Sequence, residues 1–366
     1  PPRDHRKSAS PRTRPLKGAK RRFLEGFVGK LSVALRPDVL ESPPKRGKRL
    51  THHKRRIMNS FKPGDRSISQ ILKGCASGIL IAGTAIALSG CGEKEANPET
   101  VLRFSAIPDT ETTAQAEKFK PVADYLAKEL GIKVEFVASA KYSASVEKFS
   151  NGDIQLAWFG GVAGIQARRA VEGANAIACG EVDPQYKSYF IANNATGIQK
   201  SDSFPTAIAG KTFTFGSTGS TSGRVMPTHF ITKESGKGPE DFFTKKPLGF
   251  SGSHDKTAQQ VADGTFEVGV LSYTAYEKFV ADPTKADAAA KISVIWETPG
   301  YADYNFTAHP VLEEQFGEGF TDKLQAALIK CEDPAVLNAL RRKKLIEVDN
   351  DSFNRIAEVM KSLGME

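Results

Sequence analysis

An α/β fold in two lobes is predicted for residues 101–366. Strand-like and helix-like stretches alternate from residue 101, the alternation restarts near residue 211, and the 276 residues from Cys91 onward exceed what one hydrophobic core usually supports. The first series reads as strand 101–107, an amphipathic helix 113–130, strand 133–138, helix 142–151, strand 155–159, helix 162–172 and strand 174–181. The second reads as strand 211–216, a helix from residue 222, strand 248–251, a helix from residue 255 and strand 267–271, and residues after about 303 read as helical to the end. Strands separated by helical crossovers imply mainly parallel sheets flanked by helices. Strands near 188–193 and 292–297 are the expected crossings between lobes, which assigns 101–195 plus 298–366 to lobe 1 and 196–297 to lobe 2. A cleft between two lobes is a ligand site by geometry alone.

The segment ahead of this region has another character. An apolar, small-residue run over 71–90 carries only Lys73, follows the basic Lys62 and Arg66, and stops at Leu88-Ser89-Gly90-Cys91. A basic flank, an apolar stretch and a small-residue cleavage site make a secretory signal. Leu88 to Cys91 resembles a bacterial lipobox, so Cys91 is expected to carry a diacylglyceryl group. The alternative is a membrane-spanning helix of about 20 residues. Met58 would open a signal of ordinary length, 58–90, followed by a linker over 91–100, and residues 1–57 then form a basic extension that is disordered or never translated. A basic arm for nucleic acid is the competing reading of that extension.

The charge follows this division. Of 51 Lys and Arg, 18 lie in residues 1–57 and 3 in 58–90, against 4 and 1 of the 42 Asp and Glu; residues 91–366 therefore keep 30 basic and 37 acidic residues, a net charge of −7. The +9 of the whole chain belongs to the precursor, and nothing after Cys91 asks for nucleic acid or an anionic lipid surface. The acyl chains would hold the protein at a membrane, at about 0.8 kcal/mol per buried CH₂. Apart from Cys75 and Cys91, the cysteines are Cys179 and Cys331, which read equally as a disulfide or as two buried thiols. With no CxxC and scattered histidines, neither a metal nor a cofactor is implied.

The stretch FTFGSTGSTSGRVMPTHF, residues 213–230, carries the chemistry: a strand, a Gly-rich turn and the start of a helix. N–H groups at a helix start, aided by the macrodipole, form an anion site, and the hydroxyls of Ser220, Thr221 and Ser222 add donors suited to a small tetrahedral oxyanion. One Ser or Thr would suffice for an ordinary N-cap. A P-loop is excluded because no Gly-Lys-Ser/Thr follows at the required spacing, and a dinucleotide fold lacks its acidic residue.

LRFSAIPDTET, KFKPVADYLAKELG, QLAWFGG, GSTSGR, FSGSHDKT and TPGYADYNFT occur in this order. Together they resemble the phosphonate, phosphite and phosphate substrate-binding proteins of ABC importers, and within these a branch labelled selenate-binding. The resemblance implies a type II-like periplasmic-binding fold whose two lobes close over the ligand and present it to a permease and its ATPase. It implies that Ser220, Thr221 and Ser222 hold the oxyanion, with Tyr142, Tyr186, His254 and Asp303 in the cleft. The family's Gly-His pair is Ser253-His254 here, Thr274 stands where aminophosphonate binders have a carboxylate, and Phe306-Thr307-Ala308-His309 replaces a Trp-x-x-Arg-like segment.

The expected protein is a monomeric, lipid-anchored, extracytoplasmic binding component that breaks no bond. Selenate or another oxyanion is the alternative ligand, and an anion-sensing adaptor the alternative role. A hydrolase built on Ser220 or Ser222, His254 and Asp303 has the residue types but lacks a Gly-x-Ser-x-Gly elbow.

Overall fold

The computed structural model describes residues 100–109 and 114–365. The expected signal, Cys91 and the basic extension lie outside the described residues. Eleven strands are formed among those described: β1 (Val101–Ala106), β2 (Lys133–Phe136), β3 (Leu156–Phe159), β4 (Asn175–Gly180), β5 (Ser188–Asn193), β6 (Phe213–Phe215), β7 (Gly249–Phe250), β8 (Val268–Ser272), β9 (Ile292–Glu297), β10 (Asn305–Ala308) and β11 (Leu345–Glu347). The helices are α1 (Gln115–Leu130), α2 (Tyr142–Ser150), α3 (Gly161–Ala170), α4 (Met226–Ser235), α5 (Pro239–Phe242), α6 (His254–Ala262), α7 (Tyr273–Ala281), α8 (Ala286–Ala289), α9 (Val311–Phe316), α10 (Phe320–Ile329), α11 (Pro334–Leu340) and α12 (Asn354–Ser362).

Two sheets result, one per lobe, in the orders β11-β4-β10-β3-β1-β2 and β7-β6-β8-β5-β9. The two-lobed α/β architecture agrees with the sequence, with three corrections. The sheets are mixed: β10 runs antiparallel to β3 and β4, and β5 antiparallel to β8 and β9. β5 belongs to the second sheet, so the chain crosses before residue 188. Residues after 303 also contribute two strands: β10 fills the centre of the first sheet and β11 its edge. β10, with all four residues buried, and the three-residue β11 are too short to show a period, so the surrounding helical pattern masked them.

The crossings, between β4 and β5 and between β9 and β10, run side by side. Tyr186 and Tyr301 exchange both main-chain hydrogen bonds, N···O 2.8 and 3.0 Å, and the Asp303 N–H donates to the Asp183 carbonyl at 3.1 Å. Lobe 1 packs an aromatic core against this hinge: Trp158 stacks on Tyr304, centroids 5.5 Å apart, and Tyr304 meets Tyr186 edge-on at 5.4 Å. The core continues into lobe 2, where Phe213 stacks on Phe243 at 4.3 Å and Phe190 meets Trp296 at 5.3 Å, and a smaller cluster of Ile191, Val261, Leu271 and Phe279 packs under α6 and α7. Cys179 and Cys331 are buried, separate thiols.

A buried ion pair fastens the hinge to lobe 1. Arg342 Nε donates to Asp183 Oδ2 at 2.7 Å, Nη2 reaches Oδ1, and Asp183 also receives the Gly180 N–H at 2.7 Å. The guanidinium lies over the rings of Trp158, Tyr186 and Tyr304, 5.0–5.6 Å from their centroids. Burial opposes its charge, but Asp183 overrides that and holds Arg342 firmly protonated. Removing one partner of such a pair strands the other, so Arg342→Ala is expected to lower unfolding free energy by about 3–5 kcal/mol in urea denaturation. The double change Arg342→Met with Asp183→Asn should lower it less; equal losses would contradict this account.

Candidate functional site

The Ser220 side chain caps the turn, accepting the Gly223 N–H at 2.9 Å. Where the sequence suggested a helix from residue 222, the chain makes one π-helical turn over Thr221–Val225 and then enters α4. The Val225 N–H bonds back to the Ser220 carbonyl at 3.0 Å. Such a widened turn is common at functional sites. Here it sets three buried hydroxyls, Ser220, Thr221 and Ser222, around the N-terminal end of one helical stretch. The Ser222 carbonyl is fixed from behind by the Ser188 hydroxyl at 2.7 Å, which also meets the Tyr301 hydroxyl at 2.6 Å.

A second helix start faces this one from lobe 1. The Val162 N–H, in the first turn of α3, donates to Thr221 Oγ1 at 3.0 Å, a hydrogen bond between lobes. The Gly161 N–H donates to Asp303 Oδ1, also at 3.0 Å. A Cβ on Gly160 would sit 3.0 Å from Asp303 Oδ1 and 3.1 Å from Thr221 Oγ1, so a side chain there would crowd both. Asp303 Oδ2 is buried and without a partner. Burial pushes the Asp303 carboxyl up to about 7; the Gly161 N–H pulls the other way, Asp183 adds to the rise, and the Thr221 and Ser222 hydroxyls offset part of it.

His254 begins α6 behind the Ser253 cap. Its Nδ1 accepts the Ser272 N–H at 3.3 Å, which puts the proton of the neutral ring on Nε2, and Nε2 is buried with no partner. Burial drives the imidazole down to about 4; Asp109 opposes this while Arg341 and Lys118 add to it. His254 is thus a neutral donor, its Cε1 3.3 Å from where a Gly223 Cβ would lie. The Asp109 carbonyl receives the His254 N–H at 3.3 Å, again across the lobes. Its carboxyl receives the Tyr304 hydroxyl at 3.1 Å, Lys118 at 3.3 Å and Arg341.

The tyrosines divide. Tyr142, buried at the start of α2, has its hydroxyl beside Ser220 and its Cβ 2.8 Å from an ideal Cβ on Gly219. A cavity of about 440 Å³, lined by Tyr142, Ser217, Gly219 and Ser253 among others, opens on the outer side of these residues. Tyr186 instead lies in the hinge with its hydroxyl on Thr274 Oγ1 at 2.6 Å. The position expected to lack a carboxylate is therefore occupied by a hydroxyl already engaged with Tyr186.

Of the residues singled out by sequence, Ser220, Thr221, Ser222, Asp303 and His254 come together, Tyr142 borders them, and Tyr186 supports them from the hinge. The α3 start at Gly161 and Val162, together with Ser188, Tyr301, Asp109 and Arg341, went unrecognised. FGG before a helix was the available signal for the first two; the others carry no local pattern. Among the described residues no His, Cys, Asp and Glu cluster suits a metal ion.

Gly219→Ala tests lobe contact, since its methyl would press on Tyr142. It is expected to hold the lobes apart, raising the radius of gyration in solution scattering with ligand present and weakening ligand binding while leaving unfolding stability nearly unchanged. A parent-like closed form would overturn that reading. Asp303 also has a pH signature. Folded, it keeps a proton up to about pH 7, whereas an unfolded Asp releases its proton near 4, so its contribution to unliganded stability falls as pH rises through that window. Asp303→Asn is expected to gain on the parent progressively between about pH 4 and 7, because the opposing His254 contribution is common to both proteins. A constant difference across that range in urea titrations would contradict the raised carboxyl.

The family model for the periplasmic substrate-binding protein of the phosphonate ABC transporter matches residues 104–353. "Probable ABC transporter phosphite binding protein PhnD1" of Prochlorococcus marinus strain MIT 9301 is 32% identical over 282 residues, covering 73% of this chain and 91% of that protein. "Phosphate-import protein PhnD" of Mycolicibacterium smegmatis is 30% identical over 246 residues, 63% of this chain and 71% of that protein. The solved structure of the Prochlorococcus PhnD1 in complex with methylphosphonate superposes with a TM-score of 0.68 at 30% identity, covering 74% of this chain and all of that one. Two lobes that meet at facing helix starts, with this match along the described residues, identify the chain as a member of the family of phosphonate ABC transporter periplasmic substrate-binding proteins.

Proposed function

We propose that the protein captures a small phosphorus oxyanion, such as a simple alkylphosphonate, phosphite or phosphate, between its lobes and delivers it to a permease and ATPase. Family membership implies an extracytoplasmic working location; attachment through a lipid on Cys91 is part of this reading. Among the described residues no helix is long and apolar enough to cross a membrane. Ser220, Thr221, Ser222 and the His254 Nε2–H would serve as donors, with Tyr142 at the mouth.

The observation that carries the reading is the orphaned Asp303 Oδ2 on a carboxyl that titrates near neutrality. One proton can be shared between this oxygen and a bound oxyanion. A phosphonate or phosphite monoanion, or HPO₄²⁻, brings that proton; Asp303 supplies it only below about pH 7. Sulfate and selenate carry none, so above that pH they meet a carboxylate in a cleft of low effective dielectric, and the site rejects them. His254 Nδ1 takes a main-chain N–H rather than donating to a carboxylate, so the orienting link of a hydrolytic triad is missing, which favours capture over bond cleavage.

Calorimetry of residues 91–366 against methylphosphonate, phosphite, phosphate, sulfate and selenate, at pH 6 and pH 8, tests this. Phosphate is expected to bind at both values, selenate to fade at pH 8, and phosphite, mainly a dianion without an O–H there, to weaken in the same direction, with Asp303→Asn abolishing the fading. Ser220→Ala and Ser222→Ala should each lose about 1.5–3 kcal/mol of binding. Tight selenate binding at pH 8 with no heat from any phosphorus ligand would overturn the assignment and support the selenate alternative.

A further inference from the structure

Arg341 carries two features that an ion pair with Asp109 does not require. It ends α11 in the left-handed conformation, φ 57°, the only non-glycine residue with positive φ among those described. Such backbone is uncommon outside glycine and concentrates at functional positions. Moreover, only Nη2 reaches Asp109; Nε and Nη1 are buried and have no partner. A buried guanidinium with idle donors is destabilising unless something else accepts from them.

The surroundings indicate what that acceptor is. Asp109 links Arg341, through its carboxylate, to His254, whose N–H its carbonyl receives at 3.3 Å. Tyr304 bonds the same carboxylate and lies one residue beyond Asp303. His254 Nε2 and Asp303 Oδ2 are buried polar atoms that likewise lack partners. Lys118 and Arg341 lie in one coupled cluster with Asp109 and Asp255, and none of its acceptors takes the guanidinium Nε or Nη1.

We infer that Arg341 is a ligand-binding residue of the cleft, donating from its free N–H groups to an oxyanion. This rests on the oxyanion reading above. The Asp109 carboxylate then acts as a positioning group, holding one side of the guanidinium and leaving the remainder for the ligand.

Calorimetry with methylphosphonate on the parent, Arg341→Gln and Arg341→Lys, beside urea unfolding of each without ligand, provides the test. Arg341→Gln is expected to bind at least about tenfold more weakly, the loss of a hydrogen bond to a charged group. A lysine can pair with Asp109 but offers no guanidinium donors, so Arg341→Lys should recover stability yet still bind several-fold more weakly than the parent. Parent-like affinity in Arg341→Lys, or in both variants, would overturn the inference and leave Arg341 a structural partner of Asp109. Should the parent itself give no heat with methylphosphonate, phosphite or phosphate, the oxyanion reading fails instead, and this inference with it.

Discussion

A single carboxyl group, that of Asp303, is buried where the second interlobe crossing meets the first turn of α3, and much of the cleft is arranged around it. Its main chain belongs to the hinge, through the bond to the Asp183 carbonyl. Its Oδ1 belongs to lobe 1, through the Gly161 N–H, and the Thr221 and Ser222 hydroxyls of lobe 2 stand beside it. An isolated carboxylate in such a place would be costly. A raised pKa is the physical resolution, since the group retains a proton near neutrality and so avoids full charge.

The support behind this arrangement comes from two consecutive arginines near the chain's end. Arg342 turns to Asp183 in the first crossing and covers Trp158, Tyr186 and Tyr304. Arg341 turns to Asp109, which follows β1. The left-handed backbone at Arg341 ends α11 abruptly and lets adjacent side chains reach different acidic partners. Residues 232 and 159 positions apart are joined in this way, so the C-terminal segment fixes both the floor of the cleft and the hinge from which it swings.

These distances explain what the sequence could and could not reveal. The strand, Gly-rich turn and helix around Ser220 lie within one short stretch, so they were legible without a structure. The two lobes were legible too, because helical crossovers repeat at short range. β10 was not, because its four residues are all buried between β3 and β4 and show neither alternation nor helical period. Asp109 was invisible for a related reason: its neighbours Lys118, Tyr304 and Arg341 are assembled only by the fold. The π turn was missed because propensity marks where a helix starts, not whether its first turn is widened.

Closure and selectivity follow from the same few contacts. Without a ligand, the Val162 N–H on the Thr221 hydroxyl and the His254 main-chain N–H on the Asp109 carbonyl tie one lobe to the other, each worth about 0.5–1.5 kcal/mol. Contacts of that strength leave the closed form within reach but do not dominate the balance. A ligand shifts the equilibrium only by what it gains in the closed state beyond the open one. On the function proposed above, that gain would come from atoms on both sides: the serine hydroxyls and His254 Nε2 from lobe 2, and Asp303 Oδ2, beside the α3 start, at the crossing. An oxyanion that also completes a proton shared with Asp303 would satisfy every one of these at once. An anion lacking that proton would force a carboxylate against its own charge as the lobes exclude water, and the energy that would have closed them would be lost in repulsion. Selectivity would then be exercised in the act of closing, and a permease that recognises only the closed form would inherit it.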